Sequence, residues 1–203
     1  MIADGVEMRG VTLDDAAALA DVLARNRTYM APYEPHRAEE FYTEAGQLDR
    51  LRTLLADRDA GRVLPYVLTA GGVPVGTINL GSLVHGPLCS GGVGYWVDQA
   101  WAGKGLATAA VEEVCRIARD EAGLHRVEAG TLVDNLASQR VLAKAGFTEY
   151  GLAPRYLHIN GAWRDHRLFQ RLLHDNPPDG RPPSRGVPQR PRRRHSGEAP
   201  TAT

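Results

Sequence analysis

Gly103, Lys104 and Gly105 sit between an apolar run and an amphipathic helix. Val93, Tyr95 and Val97 alternate as strand residues do. After the glycines, Leu106, Ala110, Val114 and Ile117 recur at helical spacing, and Glu112, Glu113, Arg116 and Arg119 are left for water. A strand, a glycine turn and a helix together make an anion site. The first amides of a helix have no internal partner, and the helix dipole leaves partial positive charge there. Glycine has no Cβ, so phosphate oxygens can approach the main chain. The candidate cradle is the backbone of Ala102, Gly103, Lys104, Gly105, Leu106, Ala107 and Thr108.

The spacing narrows the anion. Lys104 lies between the glycines, so the run is not G-x-x-x-x-G-K-[ST]. The third glycine of G-x-G-x-x-G is also missing, which removes the dinucleotide fingerprint. A second cluster lies downstream, from Asp134-Asn135 through Ser138 to Ala145-Gly146-Phe147. Asp134 or Asn135 can cap a short helix, and Gly146 can end it in the left-handed conformation. Ser138 falls in the first turn, where it is either a chemical group or an ordinary helix residue. Cys89 and Cys115 form no C-x-x-C pair, and no two histidines are four apart. No metal site is expected. His85 and Cys89 read as surface-loop residues.

The elements that must position these groups follow from periodicity. Val6–Val11 reads as a strand, followed by a helix from Ala16 to about Arg25. The stretch Tyr29 to His36 holds Pro32 and Pro35 and reads as irregular. Its Tyr33, Glu34 and His36 suit a substrate-facing loop or a connecting loop packed by its aromatics. A helix over about Tyr42–Ala60 follows, with Leu48, Leu51 and Leu55 as its core stripe. Val63–Thr69 and Pro74–Leu80 read as strands joined by a hairpin at Gly71-Gly72. Ser82–Gly92 reads as irregular. His125–Leu132 is a strand, and Tyr150–Ile159 and Arg167–Leu173 are a final pair turning at Asn160-Gly161. The order β, α, α, β, β, β, α, β, α, β, β predicts an α+β fold, with a mixed, mostly antiparallel central sheet flanked by helices.

The chain has 203 residues and a formal net charge of zero, which hides a split. From Asn176 onward there are 6 arginines against 2 acidic groups, leaving 18 basic and 22 acidic before it. Residues 1–174 read as one domain. Residues 175–203, rich in Pro and Arg, read as a disordered tail that cannot bury enough apolar surface to order itself. Its Arg190–His195 cluster is either solubilising or a contact for RNA. Met1–Gly5 has no basic start and no apolar core, and no apolar run nears membrane-spanning length. The expectation is a cytoplasmic protein without membrane contact, monomer or homodimer.

Two motifs carry a family resemblance. Ala102-Gly103-Lys104-Gly105-Leu106-Ala107 resembles the pyrophosphate loop of the GCN5-related N-acetyltransferases (GNAT), whose pattern is Q/R-x-x-G-x-G/A. Ala102 departs from it, standing where the pattern has Gln or Arg. Asn135-x-x-Ser138 with Gly146-Phe147 resembles the N-x-x-S/A … G-F segment of the same family. With Gly94-Tyr95-Trp96 and Pro32-Tyr33-Glu34-Pro35, the chain is most similar to the RimJ/RimL subgroup, which acetylates N-terminal α-amines of ribosomal proteins. The resemblance implies the acyl-CoA N-acyltransferase fold, acetyl-CoA as co-substrate, no metal, and direct transfer to a primary amine. It further implies that loop amides hold the pyrophosphate, that Tyr95, Trp96 and Val97 pair with the pantetheine arm, and that Asn135 contacts the cofactor. Ser138 is implied near the sulfur as a general acid. Tyr33, Glu34, His36 and Trp163 are candidates to line the amine pocket, with Glu34 a candidate base. Gly92 stands where many relatives carry a basic Glu. A small amine such as an antibiotic, polyamine or amino acid is the alternative acceptor. An acyl-CoA sensor without turnover, its tail contacting RNA, is the alternative of another class.

Overall fold

A computed structural model describes residues 1–3 and 5–178. The tail expectations over residues 179–203, including the Arg190–His195 cluster, lie outside the described residues. Among the described residues the apolar periodicities resolve into seven strands and four α-helices. The strands are β1 (Val6–Gly10), β2 (Leu64–Ala70), β3 (Val73–Val84), β4 (Ser90–Val97), β5 (Arg126–Leu132), β6 (Thr148–Ile159) and β7 (Ala162–Leu172). The helices are α1 (Ala16–Met30), α2 (Glu44–Asp59), α3 (Leu106–Asp120) and α4 (Leu136–Lys144). The expected element order is reproduced.

The strands form one sheet in the order β1-β2-β3-β4-β5-β7-β6. Every pairing is antiparallel except β4 with β5. Helix α3 is the crossover that a parallel pair requires. Alternation sends Ile78, Leu80, Val93 and Val127 to one face, and a bulge at Val75 turns that residue there too; they meet Leu106, Ala110, Val114 and Leu142 of α3 and α4. Val67 points to the other face and packs with Leu19, Val22 and Leu51 of α1 and α2.

Several boundaries differ from expectation. Helix α1 runs to Met30, so Tyr29 and Met30 are helical, and it stops just before Pro32, which has no amide to continue the ladder. A 3₁₀ turn over Glu39–Tyr42 precedes α2, which starts at Glu44 with Thr43 Oγ1 accepting from Gly46 N–H. Ser82, Leu83 and Val84 extend β3, and β4 begins at Ser90, so only residues 85–89 of Ser82–Gly92 are irregular. Cys89 is buried and its thiol donates to Gly123 O at 3.1 Å. Strand β7 starts at Ala162 rather than Arg167.

Gly76 shows how tightly β3 and β4 approach. A Cβ there would lie 2.5 Å from Trp96 O and 3.1 Å from Val97 Cα, both backbone atoms that cannot swing aside. Gly76→Ala is expected to destabilise the protein by about 1–3 kcal/mol through overpacking, read as a lowered urea midpoint.

Candidate active site

The β4–β5 ladder is short. Ser90 pairs Arg126, Gly91 pairs Val127 and Gly92 pairs Glu128; beyond that rung the register ends. Strand β4 continues along β3 as far as the Val97–Gly76 rung. Strand β5 continues along β7 as far as Leu132–His166. The two strands therefore part, and a gap opens toward their carboxyl ends. Asp98 N–H donates to Val75 O at 2.8 Å, extending the β3–β4 ladder by one rung. Antiparallel alternation then turns the backbone of Gly94 and Trp96 toward β3. The amides and carbonyls of Val93, Tyr95 and Val97 face the gap, as a rail of unpaired polar groups that an extended ligand can satisfy.

The glycine loop lies at the open end of this rail. Gly105 is the N-cap of α3, in the left-handed conformation at φ 81°, and no side chain caps the helix. The first helical bond runs from Ala109 N–H to Gly105 O at 3.0 Å, so the amides of Leu106, Ala107 and Thr108 precede the internal ladder. Gly103 is also left-handed, at φ 74°. At both glycines the space where a Cβ would stand is open to 4 Å. Lys104 Nζ folds back over the Trp101 ring, 5.3 Å from its centroid. The helix start is thus bare and open, which fits a diphosphate.

Helix α1 holds the turn that leads into this loop. Asp98 accepts from Arg25 Nε at 2.9 Å and Nη2 at 2.6 Å, and from Ala100 N–H at 2.8 Å. Beside it, the buried Asn26 accepts from Gln99 N–H through Oδ1 and donates to Val22 O through Nδ2, each at 2.8 Å. Burial opposes the charge on Asp98, but Ala100 N–H, Arg25 and Asn26 outweigh it and hold the carboxyl below its ordinary 3.8. This anchor carries no sequence motif, because it joins residues 73 positions apart.

A pair of hydroxyls closes the gap from the α4 side. Asn135 caps α4, its Oδ1 accepting from Ser138 N–H at 3.0 Å. That places Ser138 Oγ 2.9 Å from Tyr95 Oη. Burial pushes the Tyr95 phenol up to about 12 against the opposing bond from Ser138, so it holds its proton at neutral pH. Sequence reading assigned Tyr95 by its backbone; its hydroxyl is a second role that only the packing of α4 on β4 exposes.

The acceptor-side candidates gather elsewhere. Asn160 N–H donates to Glu34 O at 3.0 Å, and His36 Nε2 lies 3.2 Å from Asn160 Oδ1. The loop bearing Tyr33, Glu34 and His36 is therefore docked on the β6–β7 turn, close in sequence to the exposed Trp163. Ala162 lies four residues before His166, so this turn reaches roughly 13 Å past the end of β5, on the side where the gap opens. The Glu34 carboxyl is raised by burial, opposed by Arg37 and Arg50. Of the other charged groups there, Glu149 is paired with Arg167 at 2.8 Å and His158 stacks edge-on against Trp163. Among the described residues no group of three or more His, Cys, Asp or Glu side chains can hold a metal ion.

A sheet parted between two parallel strands, with a bare helix start at its mouth and a hydroxyl pair on one wall, is the architecture of an acyl transferase. The acetyltransferase (GNAT) domain family matches residues 6–148. The [ribosomal protein uS5]-alanine N-acetyltransferase of Escherichia coli (strain K12) is 33% identical over 167 residues, covering 81% of this chain and 86% of that protein. Among solved structures, the ribosomal-protein-S5-alanine acetyltransferase from Vibrio fischeri superposes with a TM-score of 0.80 at 32% identity, over 84% of this chain and 94% of that one. Mycobacterium smegmatis RimJ, in complex with CoA-disulfide, gives 0.79 at 35% identity, over 82% and 81%. The chain belongs to the GNAT acetyltransferase family and is an N-acetyltransferase.

Because the folded-state pKa of Asp98 is depressed, its stabilising contribution is full above about pH 4 and disappears as pH falls through the lower folded value. Asp98→Asn is expected to lose that part of the acid dependence, measured as the urea midpoint between about pH 2 and about pH 6.

Proposed function

We propose that this chain is an acetyl-CoA-dependent N-acetyltransferase that acetylates a protein N-terminal α-amine by direct transfer in a ternary complex. The observation that carries this reading is the parting of β4 from β5 beside the uncapped start of α3. The co-substrate supplies an acetyl group activated as a thioester. The amides of Gly103 through Thr108 hold its diphosphate, and Ala102 and Lys104 complete the loop. The rail at Tyr95 and Val97 aligns its extended arm, Trp96 between them being bonded to β3 rather than facing the gap as the resemblance implied, and a rail amide facing the gap polarises the carbonyl. Asn135 orients Ser138 through its cap, and the Ser138–Tyr95 hydroxyl pair delivers a proton toward the departing sulfur.

Two similarities support a protein terminus as acceptor: the Escherichia coli and Vibrio fischeri relatives are enzymes for a ribosomal-protein alanine. Tyr33, Glu34, His36 and Trp163, drawn together by the β6–β7 turn, line the approach of that terminus. We place residues 1–174 as the catalytic domain. Free, buried Cys89 and Cys115 suit a reducing cytoplasm, and among the described residues no helix is long and apolar enough to cross a membrane.

Titration calorimetry with acetyl-CoA and free-thiol release with an N-terminal-alanine peptide test the reading. The wild type is expected to bind and turn over. Gly105→Glu, which forces a bulky anion into a left-handed site, is expected to abolish binding. Ser138→Ala is expected to lower kcat about a hundredfold while acetyl-CoA affinity changes little. Folded wild type that binds no acetyl-CoA, or releases no thiol with any peptide or small amine, would overturn it.

A further inference from the structure

An α-ammonium has no lone pair, so a proton must leave it before nitrogen can attack; with a pKa of about 8 it is mostly protonated at neutral pH. The hydroxyl pair cannot serve, because both groups still carry their protons and lie on the α4 face of the sheet. On the opposite face the floor around the gap is nearly bare. Asn79 pairs Gly94 and Gly81 pairs Gly92, so these four residues share that face, and Gly130 continues it on β5. A Cβ at Gly94 would meet nothing within 4 Å, and one at Gly92 only Gly81 O at 3.8 Å.

Glu128 stands over this floor. It is the rung partner of Gly92, the last rung before the strands part. Residues opposed in register project to the same side, so Glu128 stands at the vertex of the gap beside a residue with no side chain, its carboxylate drawn back toward the Ser90–Arg126 rung. It is fixed from both ends: Oε2 accepts from the buried Ser90 Oγ and Oε1 from Tyr150 Oη, each at 3.0 Å. Arg126 Nη1 lies 3.5 Å from Oε1. Each oxygen keeps acceptor capacity for a further donor, and the side chain is 33% exposed, so a substrate can reach it. The other titratable groups at this face are His166 of β7 and Tyr156 of β6, whose rings cover Gly130; on β7 the residue opposite Glu128 is the uncharged Gln170. Glu34, by contrast, is on the docked loop, 3.9 Å from Arg37 Nε and within the field of Arg50.

We infer that Glu128 is the catalytic proton acceptor for the incoming amine, set across the sheet from the Ser138–Tyr95 pair that protonates the leaving sulfur. The inference rests on the acetyl-transfer reading above. One proton passes from the ammonium to Glu128 and on to water. The nitrogen lone pair then forms the N–C bond, the C–S bond breaks, and its electron pair stays on sulfur. Sulfur takes a proton from the hydroxyl pair, and the second proton shed by nitrogen makes up that loss through water. Acid and base stand on opposite faces of one parted sheet, so the nucleophile enters from one side and the thiol departs toward the other.

The test is the pH dependence of kcat/KM for an N-terminal-alanine peptide with Glu128→Gln, which keeps the size of the side chain and an acceptor oxygen for Ser90 or Tyr150. Acetyl-CoA affinity by calorimetry should stay within about twofold, while kcat/KM near pH 7 falls about a hundredfold. The deficit should shrink as pH rises past about 8, where the amine loses its proton unaided. A second variant, Glu128→Ala, should recover activity with added formate, which a purely structural role would not allow. A deficit equal at every pH, unrelieved by formate, would overturn the assignment, as would unchanged activity of both variants at pH 7. Failure of the acetyl-transfer reading looks different, since the wild type itself would then release no thiol.

Discussion

Everything at the site depends on two parallel strands that stop pairing. Strands β4 and β5 share three rungs and then diverge, although each keeps its outer partner. A sheet interior rarely leaves backbone amides and carbonyls unmatched, because an unpaired buried peptide group costs as much as a lost hydrogen bond. The gap is tolerable when something extended fills it. Within one protein it creates a rail on β4, a vertex at Gly92–Glu128 and a mouth at the glycine loop, all from one departure from regularity.

The divergence would be a weakness if the parted edges were free to close or fray. Three long-range anchors prevent it. Arg25 and Asn26 of α1 hold Asp98 and Gln99 at the carboxyl end of β4. Tyr95 and Ser138 tie β4 to the first turn of α4. Strand β7 holds β5 through seven rungs from Arg126 to Leu132, so β5 cannot slide toward β4. Charge is used sparingly in these anchors. Arg25–Asp98 works because Asp98 is nearly fully buried, with every contact charge-assisted or from a backbone amide. Exposed pairs such as Arg52–Asp49 contribute little to the architecture.

The chemistry then separates by face. On the helical α3–α4 side, burial keeps the Tyr95 phenol protonated. On the other side, Gly92 and Gly94 leave space, and the polar cluster of Ser90, Arg126 and Tyr150 fixes Glu128 beside it. The glycines are a functional composition, since an apolar side chain at Gly94 or Gly92 would fill the approach to the gap. The docking of Glu34 and His36 on the β6–β7 turn closes the far end of that approach with residues from two distant parts of the chain.

Local features of this protein were legible in its sequence because local rules produce them. The 3.6-residue repeat of Leu106, Ala110, Val114 and Ile117 dictates a helix opening at the Gly103–Gly105 turn, which stands as read, and of the two candidate caps of the next helix, Asp134 and Asn135, the structure selects Asn135. The element order and the family resemblance follow from such signals. Helix α1 outran its reading at Arg25 because Asn26 is buried by a tertiary bond to Gln99 that no periodicity announces. Cys89 looked like a loop residue and is buried for the same reason, covered by the distant Gly123 turn. Strand register cannot be read from a single strand, since each residue's partner is set by hydrogen bonds to another part of the chain. The sequence by itself therefore determined the helix starts, the turns and the glycine loop before α3. Only the tertiary structure decided that Glu128 stands beside Gly92, that Ser138 meets Tyr95 and that Arg25 grips Asp98, because each joins residues 36 or more positions apart through packing rather than through local backbone preference.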